Sequence, residues 1–248
     1  MKSLEGRVAI VTGASRGIGE AIARAFVREG ARVAICGRRQ ETLDAIAAEL
    51  GKAALPIVCH VGRRQDVEAL VGRAETELGP VEILVNNAAT NVQQGPCLEA
   101  TEEQFDKMID VNLKSAFRLV GAVAPGMVAR GRGSIINVAS VAGLKPQYES
   151  VLYSMTKAAL VMMTKSWALE LGPKGVRVNA IAPGLIQTKL SEYFWKDEAR
   201  REAAFGHQPI RHLGQPEEIA EVAVLLAGEK ASYMTGEVIV ADGGFLLT

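Results

Sequence analysis

The sequence predicts an α/β fold in which helices cover both faces of a seven-stranded parallel sheet, a three-layer doubly wound arrangement. Short β-branched runs alternate with longer helical patterns from end to end, as repeated β-α units require. Most of the strand candidates are continuous apolar runs, which is typical of strands buried on both faces. The 248 residues, 48% of them hydrophobic, are enough for one large core. No linker or repeat divides the chain, so we expect residues 1–248 to form a single domain.

The strands are assigned from seven short runs that are apolar and rich in β-branched residues. They are Val8 to Val11, Arg32 to Cys36, Leu55 to Val58, Val81 to Val85, Ser134 to Val138, Val176 to Ile181 and Val238 to Val240.

The helices between them carry recognisable start and stop signals. The helix after the first strand is amphipathic and ends at Gly30. Thr101 to Gln104 has the pattern of a capping box and predicts the start of a long helix that reaches about Arg130. Gln215 to Glu218 places a proline and acidic residues in the first turn of the last helix.

Charge and cysteine content exclude several classes of protein. The 28 basic and 28 acidic residues cancel, so nothing indicates nucleic acid or an anionic membrane as a partner. Cys36, Cys59 and Cys97 are odd in number and widely spaced, which suits a reducing cytoplasm and neither a zinc site nor a disulfide framework. The polar N-terminus is not a secretory signal, and no apolar run approaches the roughly 20 residues of a membrane span. We therefore expect a cytoplasmic protein.

A glycine-rich turn follows the first strand and opens directly into a helix. Glycines allow the turn to be tight and let a pyrophosphate approach the backbone amides and the positive end of the helix dipole. The spacing is Gly-x-x-x-Gly-x-Gly and not Gly-x-Gly-x-x-Gly. The residues expected to bind a nucleotide here are Gly13, Ser15, Arg16, Gly17, Ile18 and Gly19.

Tyr153 and Lys157 stand four positions apart in a helical pattern, so their side chains share one face. An ammonium beside a phenol stabilises the phenolate, and we expect Lys157 to lower the pKa of Tyr153 from its usual value near 10. Ser140 follows the fifth strand, at the end of the sheet where such folds place their chemistry. Its alternative interpretation is the cap of a helix or turn.

These motifs together resemble the short-chain dehydrogenase/reductase family over the whole chain. The matching residues, in the family's order and spacing, are the glycine turn, Asn86-Asn87-Ala88, Asn112, Ser140, Tyr153-x-x-x-Lys157, Pro183-Gly184 and Thr188. The resemblance implies a Rossmann-type domain and an oxidoreductase that moves a hydride between a nicotinamide cofactor and a small-molecule carbonyl or alcohol substrate. It implies no metal.

The resemblance also implies a role for each catalytic residue. Tyr153 would protonate the carbonyl oxygen during reduction and act as the base in the reverse direction. Lys157 would lower its pKa and hold the nicotinamide ribose, and Ser140 would orient the carbonyl. Asn112 would anchor a water that links Lys157 to solvent.

Further residues are expected at the cofactor on the same ground. Asn86 to Ala88 would support the sheet beneath the adenine ribose, and Thr188 would hold the carboxamide. The implied contacts outside the glycine turn are His60, Val61, Asn87, Ala88, Tyr153, Lys157, Pro183, Gly184, Ile186 and Thr188.

One branch of the family is especially similar. Many members have Asp-Val after the third strand, where this chain has Cys59-His60-Val61-Gly62. Four segments resemble the NADPH-dependent carbonyl and retinal reductases. They are this string, Ala182 to Thr188, Trp195-x-Asp197 and Arg211 to Glu217. His60 would then either contact the adenine or be an ordinary surface histidine.

The end of the second strand predicts NADP(H) as the cofactor. An NAD-selective site places an acid there that repels a 2′-phosphate, but this chain has no acid until Glu41. Arg38 and Arg16 are both expected to reach the phosphate, because a guanidinium pair binds a phosphate well. The alternative is two solvated arginines.

The segment 187–212, between the sixth strand and the last helix, is either a helix packed on the domain or a lid over an apolar ligand. We expect the pocket residues to be mostly apolar, which favours a hydrophobic carbonyl substrate over a sugar or a carboxylate-bearing one. The predicted pocket residues are Leu144, Pro146, Tyr148, Leu152, Tyr193, Phe194 and Trp195.

Three other functions stay open at this point. A 3-oxoacyl carrier-protein reductase needs a basic patch at the active-site mouth. Arg130, Arg132 and Lys174 are candidates for it, although Arg130 to Gly133 is equally a solvated loop. A sugar or polyol dehydrogenase is the second alternative, and a non-catalytic nucleotide-binding regulator is the third. Family members commonly form homotetramers, which is also the expectation here.

Overall fold

Seven strands, all parallel, form one sheet at the centre of the protein. The computed structural model describes residues 2–206 and 208–247. The strands are β1 (Val8–Thr12), β2 (Arg32–Gly37), β3 (Ala54–Val58), β4 (Ile83–Asn86), β5 (Gly133–Val138), β6 (Val176–Pro183) and β7 (Val238–Ala241). Their order across the sheet is β3-β2-β1-β4-β5-β6-β7, which confirms the predicted fold.

The strand bounds agree with the predicted runs to within two residues, and the start of β4 is one of the places where they differ. Val81 was predicted to open this strand, but the pairing with β1 starts at Ile83 opposite Ala9. The Val81 carbonyl accepts a hydrogen bond from the Arg130 guanidinium at 2.6 Å, so its partner is a side chain and not a neighbouring strand.

Helices cover both faces of the sheet because each strand is apolar on both sides. They are α1 (Gly17–Arg28), α2 (Gln40–Leu50), α3 (Arg64–Leu78), α4 (Glu102–Ile109), α5 (Ser115–Ala129), α6 (Val151–Leu171), α7 (Glu192–Trp195), α8 (Glu198–Gly206) and α9 (Pro216–Ala227). Ala9 and Val11 of β1 pack in the core that holds α1, α2 and α9. Val8 and Ile10 point to the opposite core, beneath α3 and α5. No helix in the described part of the chain has the length and apolar character needed to cross a membrane.

The strand order reverses between β1 and β4, and this reversal determines where ligands fit. From β1 the chain builds outward to β3, then returns to place β4 on the other side of β1. The connections on the two sides therefore diverge and leave a crevice at the carboxyl ends of the strands. The glycine turn, Asn87, Ser140 and Gly184 all follow strand ends at this edge.

The predicted long helix is present but interrupted. Its capping box forms, and the Thr101 hydroxyl accepts a hydrogen bond from the backbone N–H of Gln104. Residues Asp110–Lys114 then form a π-helical turn between α4 and α5. Single π turns occur mostly at functional sites, and this one contains Asn112.

Gly143 positions α6 against the sheet. A Cβ at this position would lie 2.6 Å from the Lys157 carbonyl carbon and 2.8 Å from its oxygen, so the turn after β5 touches the helix backbone directly. We expect Gly143→Ala to displace α6 and to lower the free energy of unfolding by about 1–3 kcal/mol, the usual cost of overpacking.

Gly72 provides the matched control. It lies in α3, where an added Cβ meets nothing within 4 Å. Gly72→Ala should therefore raise the free energy of unfolding by about 0.4–1 kcal/mol, because alanine loses less backbone entropy on folding. Urea unfolding of both variants checks the pair, and equal stability of the two would contradict the close contact at Gly143.

Candidate active site

The glycine turn is fixed to the end of β4 by a small hydrogen-bond network. The Asn87 amide group donates to the carbonyls of Thr12 and Gly13, at 2.8 and 3.3 Å. The Thr12 hydroxyl accepts from the backbone N–H groups of Asn87 and Ala88, at 3.0 and 3.1 Å. Gly13 has a φ of +65° and its Cβ would lie 2.9 Å from the Asn87 amide nitrogen, so glycine is required there.

An open groove of about 220 Å³ lies beside this turn, and we call it the cofactor groove. Its walls include eleven of the predicted cofactor residues: Gly13, Ser15, Arg16, Gly17, Ile18, Arg38, His60, Val61, Asn87, Ala88 and Thr188. No side chain caps the start of α1, so its first N–H groups are available to a phosphate. Gly19 lies outside the groove. A Cβ there would be 2.4 Å from the Gly13 carbonyl oxygen, so Gly19 allows the helix to pack under the turn.

The cofactor groove is basic. Arg16, Arg38, Lys107 and Lys189 line it, and no carboxylate does among the residues that the structure describes. Arg16 and Arg38 are exposed and form no ion pair with any described residue. Lys189, by contrast, pairs with Glu192. Both arginines are therefore available for an anionic ligand.

His60 is half-buried and lines the groove, so it is not an ordinary surface histidine. Its backbone N–H donates to Asp66 Oδ2 at 2.9 Å, which fixes the loop after β3. Its Nδ1 is buried and finds no partner among the described residues. A buried nitrogen without a partner is costly, and a polar ligand edge in the groove would satisfy it. The residues of this groove thus fit a dinucleotide.

A second, largely apolar cavity of about 290 Å³ adjoins the groove, and we call it the substrate cavity. Ser140, Tyr153 and Lys157 line it together, with Pro183, Gly184, Ile186 and Thr188. The Lys157 ammonium donates to the Val138 carbonyl at 2.7 Å and lies 5.5 Å from the centroid of the Tyr153 ring. The Ser140 hydroxyl accepts from the Ala142 N–H at 3.1 Å, so this serine also caps the turn after β5.

Burial dominates the protonation of the two titratable groups. It raises the pKa of Tyr153 to about 12, and the Ser140 hydrogen bond opposes that rise. It lowers the pKa of Lys157 to about 8. In this structure the pKa of Tyr153 lies above its usual value, because burying a phenolate costs more than the Ser140 hydrogen bond returns. The expected lowering of this pKa by Lys157 stays a prediction. At neutral pH the phenol carries its proton and most of the lysine is charged.

Asn112 lies behind the cavity and not in its wall. Its side chain is 3% exposed and makes three hydrogen bonds. Two join it to the backbone of Thr90, at 2.8 and 2.9 Å, and the third runs to the Thr156 hydroxyl at 3.1 Å. Asn112 therefore ties the loop after β4 to α6, one residue before Lys157. The predicted water link stays a prediction.

The three consecutive aromatic residues Tyr193, Phe194 and Trp195 contribute one ring to the wall of the substrate cavity. Phe194 lines it, as do Pro146 and Tyr148. Tyr193 packs edge-on against Phe194, with ring centroids 5.1 Å apart, and the Trp195 indole donates to the Thr188 carbonyl at 3.0 Å. Phe194 of α7 and Arg200 of α8 place the segment 187–212 in the wall of the cavity. The lid stays a prediction. His207 lies outside the described residues.

Four predicted pocket residues do not line the substrate cavity: Leu144, Leu152, Tyr193 and Trp195. Leu144 faces a separate surface cavity, and Leu152 is buried inside the protein. The sequence did not indicate the cavity's other polar residues, because they come from segments far apart in the chain. They are Asn91, Lys145, Gln147, Ser191, Arg200 and Gln208.

Comparison with known proteins agrees with this geometry. The family model described as enoyl-(acyl carrier protein) reductase matches residues 13–246. Dehydrogenase/reductase SDR family member 4 of Sus scrofa is 44% identical over 98% of this chain and 88% of its own. The 3-oxoacyl-[acyl-carrier-protein] reductase of Thermotoga maritima is 38% identical over 98% and 99% of the two chains.

Two solved structures share the whole architecture. A short-chain type dehydrogenase/reductase from Mycobacterium marinum superposes with a TM-score of 0.94 at 36% identity, covering 99% of this chain and 98% of that one. A putative gluconate dehydrogenase from Agrobacterium tumefaciens does so with a TM-score of 0.95 at 29% identity and the same coverage. The sheet order, the glycine turn and the matched relatives lead to one conclusion: this chain belongs to the short-chain dehydrogenase/reductase family.

Proposed function

We propose that this oxidoreductase is an NADP(H)-dependent carbonyl reductase that interconverts ketones or aldehydes with their alcohols and prefers substrates with an apolar body. The observation that carries the proposal is the meeting of Ser140, Tyr153 and Lys157 in a mostly apolar cavity that opens onto a basic groove. Similarity to dehydrogenase/reductase SDR family member 4 supports it, as does the resemblance to the carbonyl and retinal reductase branch.

The mechanism follows from the protonation states. The nicotinamide cofactor supplies or accepts the hydride when it is bound. Ser140 donates a hydrogen bond to the substrate oxygen, and the Tyr153 phenol, protonated because its pKa is about 12, donates the proton to that oxygen. In the oxidative direction Tyr153 accepts the proton. Lys157 would hold the nicotinamide ribose and Thr188 would hold the carboxamide.

The preference for NADP(H) is inferred from the charges of the cofactor groove. A 2′-phosphate carries close to two negative charges, and Arg16 and Arg38 stand at the groove without a described carboxylate partner. No described acidic residue lines the groove to bind a free 2′-hydroxyl and to repel the phosphate.

A 3-oxoacyl carrier-protein reductase is the second candidate, because a relative of that name is 38% identical. The positions of the basic residues that were expected to attract an acidic carrier protein argue against this candidate. Arg130 and Arg132 precede β5 and Lys174 precedes β6, so all three lie at the amino edge of the sheet, opposite the cavity. Arg132 also pairs with Glu82 there. The expectation of a patch of these three at the active-site mouth is therefore wrong.

A sugar or polyol dehydrogenase is favoured less, although one similar structure is a putative gluconate dehydrogenase, because the cavity walls here are largely apolar. A non-catalytic regulator would not need Ser140, Tyr153 and Lys157 in one cavity.

We further propose a cytoplasmic homotetramer. Met162 of α6 and Phe117 of α5 are about 60% exposed, which suits a surface buried by a second copy. Light scattering should then give four times the chain mass of 26.4 kDa.

A substrate panel tests the proposed reaction. Aromatic and aliphatic ketones, aldehydes, acetoacetyl thioesters and sugars are assayed with NADPH and NADH at 340 nm. We expect NADPH-dependent reduction of the apolar ketones and aldehydes. Efficient oxidation of glucose together with no reaction on any ketone would contradict the proposal, and a strong preference for acetoacetyl thioesters would favour the second candidate.

Substitution of Arg38 tests the cofactor preference. Loss of one charge-assisted hydrogen bond to the 2′-phosphate costs about 1.5–3 kcal/mol, so Arg38→Ala should raise the Kd for NADPH roughly ten- to a hundredfold. The Kd for NADH should change little. Arg39→Ala is the control, because Arg39 is equally exposed but does not line the groove. An equal effect of Arg38→Ala on both cofactors would overturn the assignment.

A further inference from the structure

Cationic side chains line the substrate cavity. Three cationic side chains line it, Lys145, Lys157 and Arg200, and no Asp or Glu does among the lining residues that the structure describes. Lys157 belongs to the catalytic group, and Lys145 lies 5.2 Å from the centroid of the Phe245 ring. The Arg200 side chain is exposed, so it stands where the cavity meets solvent. A mostly apolar cavity lined by cations, with no carboxylate among its described lining residues, favours an anionic group.

Arg200 differs from the other cations of the segment that holds it. Lys189 and Lys196 both pair with Glu192. Arg201 lies 3.9 and 4.0 Å from the carboxylates of Glu198 and Glu202. The Arg200 guanidinium has no carboxylate within 4.0 Å in the part of the chain that is described. It alone of these four lines the cavity that holds Ser140 and Tyr153.

The protein nevertheless holds this guanidinium in a defined position. Its central carbon lies 3.9 Å from the centroid of the Tyr193 ring, and Nη1 donates to the Tyr193 carbonyl at 3.3 Å. The Arg200 backbone N–H donates to Asp197 Oδ1 at 2.9 Å, which fixes the first turn of α8. A guanidinium has five N–H donors, so the Tyr193 contact leaves most of them available. Arg200 is thus oriented in advance but unpaired with a described acid, as a ligand-binding arginine is.

We infer that Arg200 is a specificity-determining residue that binds a carboxylate on the substrate, and that this enzyme prefers apolar carbonyl compounds that also carry a carboxylate. The inference rests on the proposed carbonyl reductase activity and narrows its substrate class. It replaces the expectation, drawn from the apolar residues of the sequence, that carboxylate-bearing substrates are disfavoured. The Phe194 ring and Pro146 contact the apolar body of such a substrate, while the planar fork of Arg200 matches the two carboxylate oxygens.

Matched acid and ester substrates test this inference. The NADPH-dependent reductions of benzoylformate, 3-acetylbenzoate and 4-acetylbenzoate are each compared with those of the methyl ester, which places the carboxylate at three distances from the ketone. The readout is the ratio of kcat/KM for acid over ester, because this ratio cancels the intrinsic reactivity of the ketone between enzyme variants. We expect Arg200→Gln to lower the ratio roughly tenfold for at least one pair, the scale of one solvent-screened charge-assisted contact.

Three controls complete the experiment. Arg200→Lys keeps the charge and should retain part of the preference. Arg201→Gln removes the neighbouring arginine, which does not line the cavity, and should leave every ratio unchanged. For the wild-type enzyme, raising the salt concentration from 20 to 500 mM should lower kcat/KM for the favoured acid and not for its ester.

The outcomes separate this inference from the proposed function. If the esters are reduced and Arg200→Gln changes no ratio, the carboxylate site is wrong and the carbonyl reductase activity stands. If neither acids nor esters are reduced, the carboxylate site is wrong, and the ketones and aldehydes of the substrate panel decide the proposed activity.

Discussion

The contact between α6 and the carboxyl end of β5 is the constraint on which the site depends. The Lys157 ammonium donates to the Val138 carbonyl at 2.7 Å, and Gly143 lets the turn after β5 touch the helix backbone at the same residue. Ser140 lies on that turn, so strand, turn and helix bring the hydroxyl, the phenol and the ammonium to one place. The Asn112 side chain supports this arrangement by donating a hydrogen bond to the Thr156 hydroxyl of α6.

Burial then determines what these groups do. The same packing that fixes α6 buries Lys157 and shields Tyr153 from most of the solvent, which raises the pKa of the phenol to about 12 and lowers that of the ammonium to about 8. A protonated phenol beside a cation suits donation of a proton to a carbonyl oxygen. The walls of the cofactor groove and of the substrate cavity share Ile18, Asn87 and Thr188, so the two spaces adjoin at these residues.

The sequence predicted what depends on local pattern. The seven strands, the glycine turn and the capping box at Thr101 each have a signal within a few residues, and the structure has all of them. The π turn at Asn112 and the close approach at Gly143 were not predicted, because they arise from packing between distant segments. The pocket was predicted least well for the same reason. Loops decide which apolar residue faces the ligand. Arg200 differs from Arg201 in lining the cavity and in having no carboxylate within 4.0 Å among the described residues.

The central claim is that Tyr153 donates the proton, and its removal is the most direct measurement. Tyr153→Phe keeps the ring and its packing but loses the acid. The account predicts that kcat for reduction of an apolar ketone falls at least about a hundredfold, the usual contribution of general acid catalysis, while the Kd for NADPH changes by no more than about threefold. A variant that keeps near wild-type turnover would contradict the account.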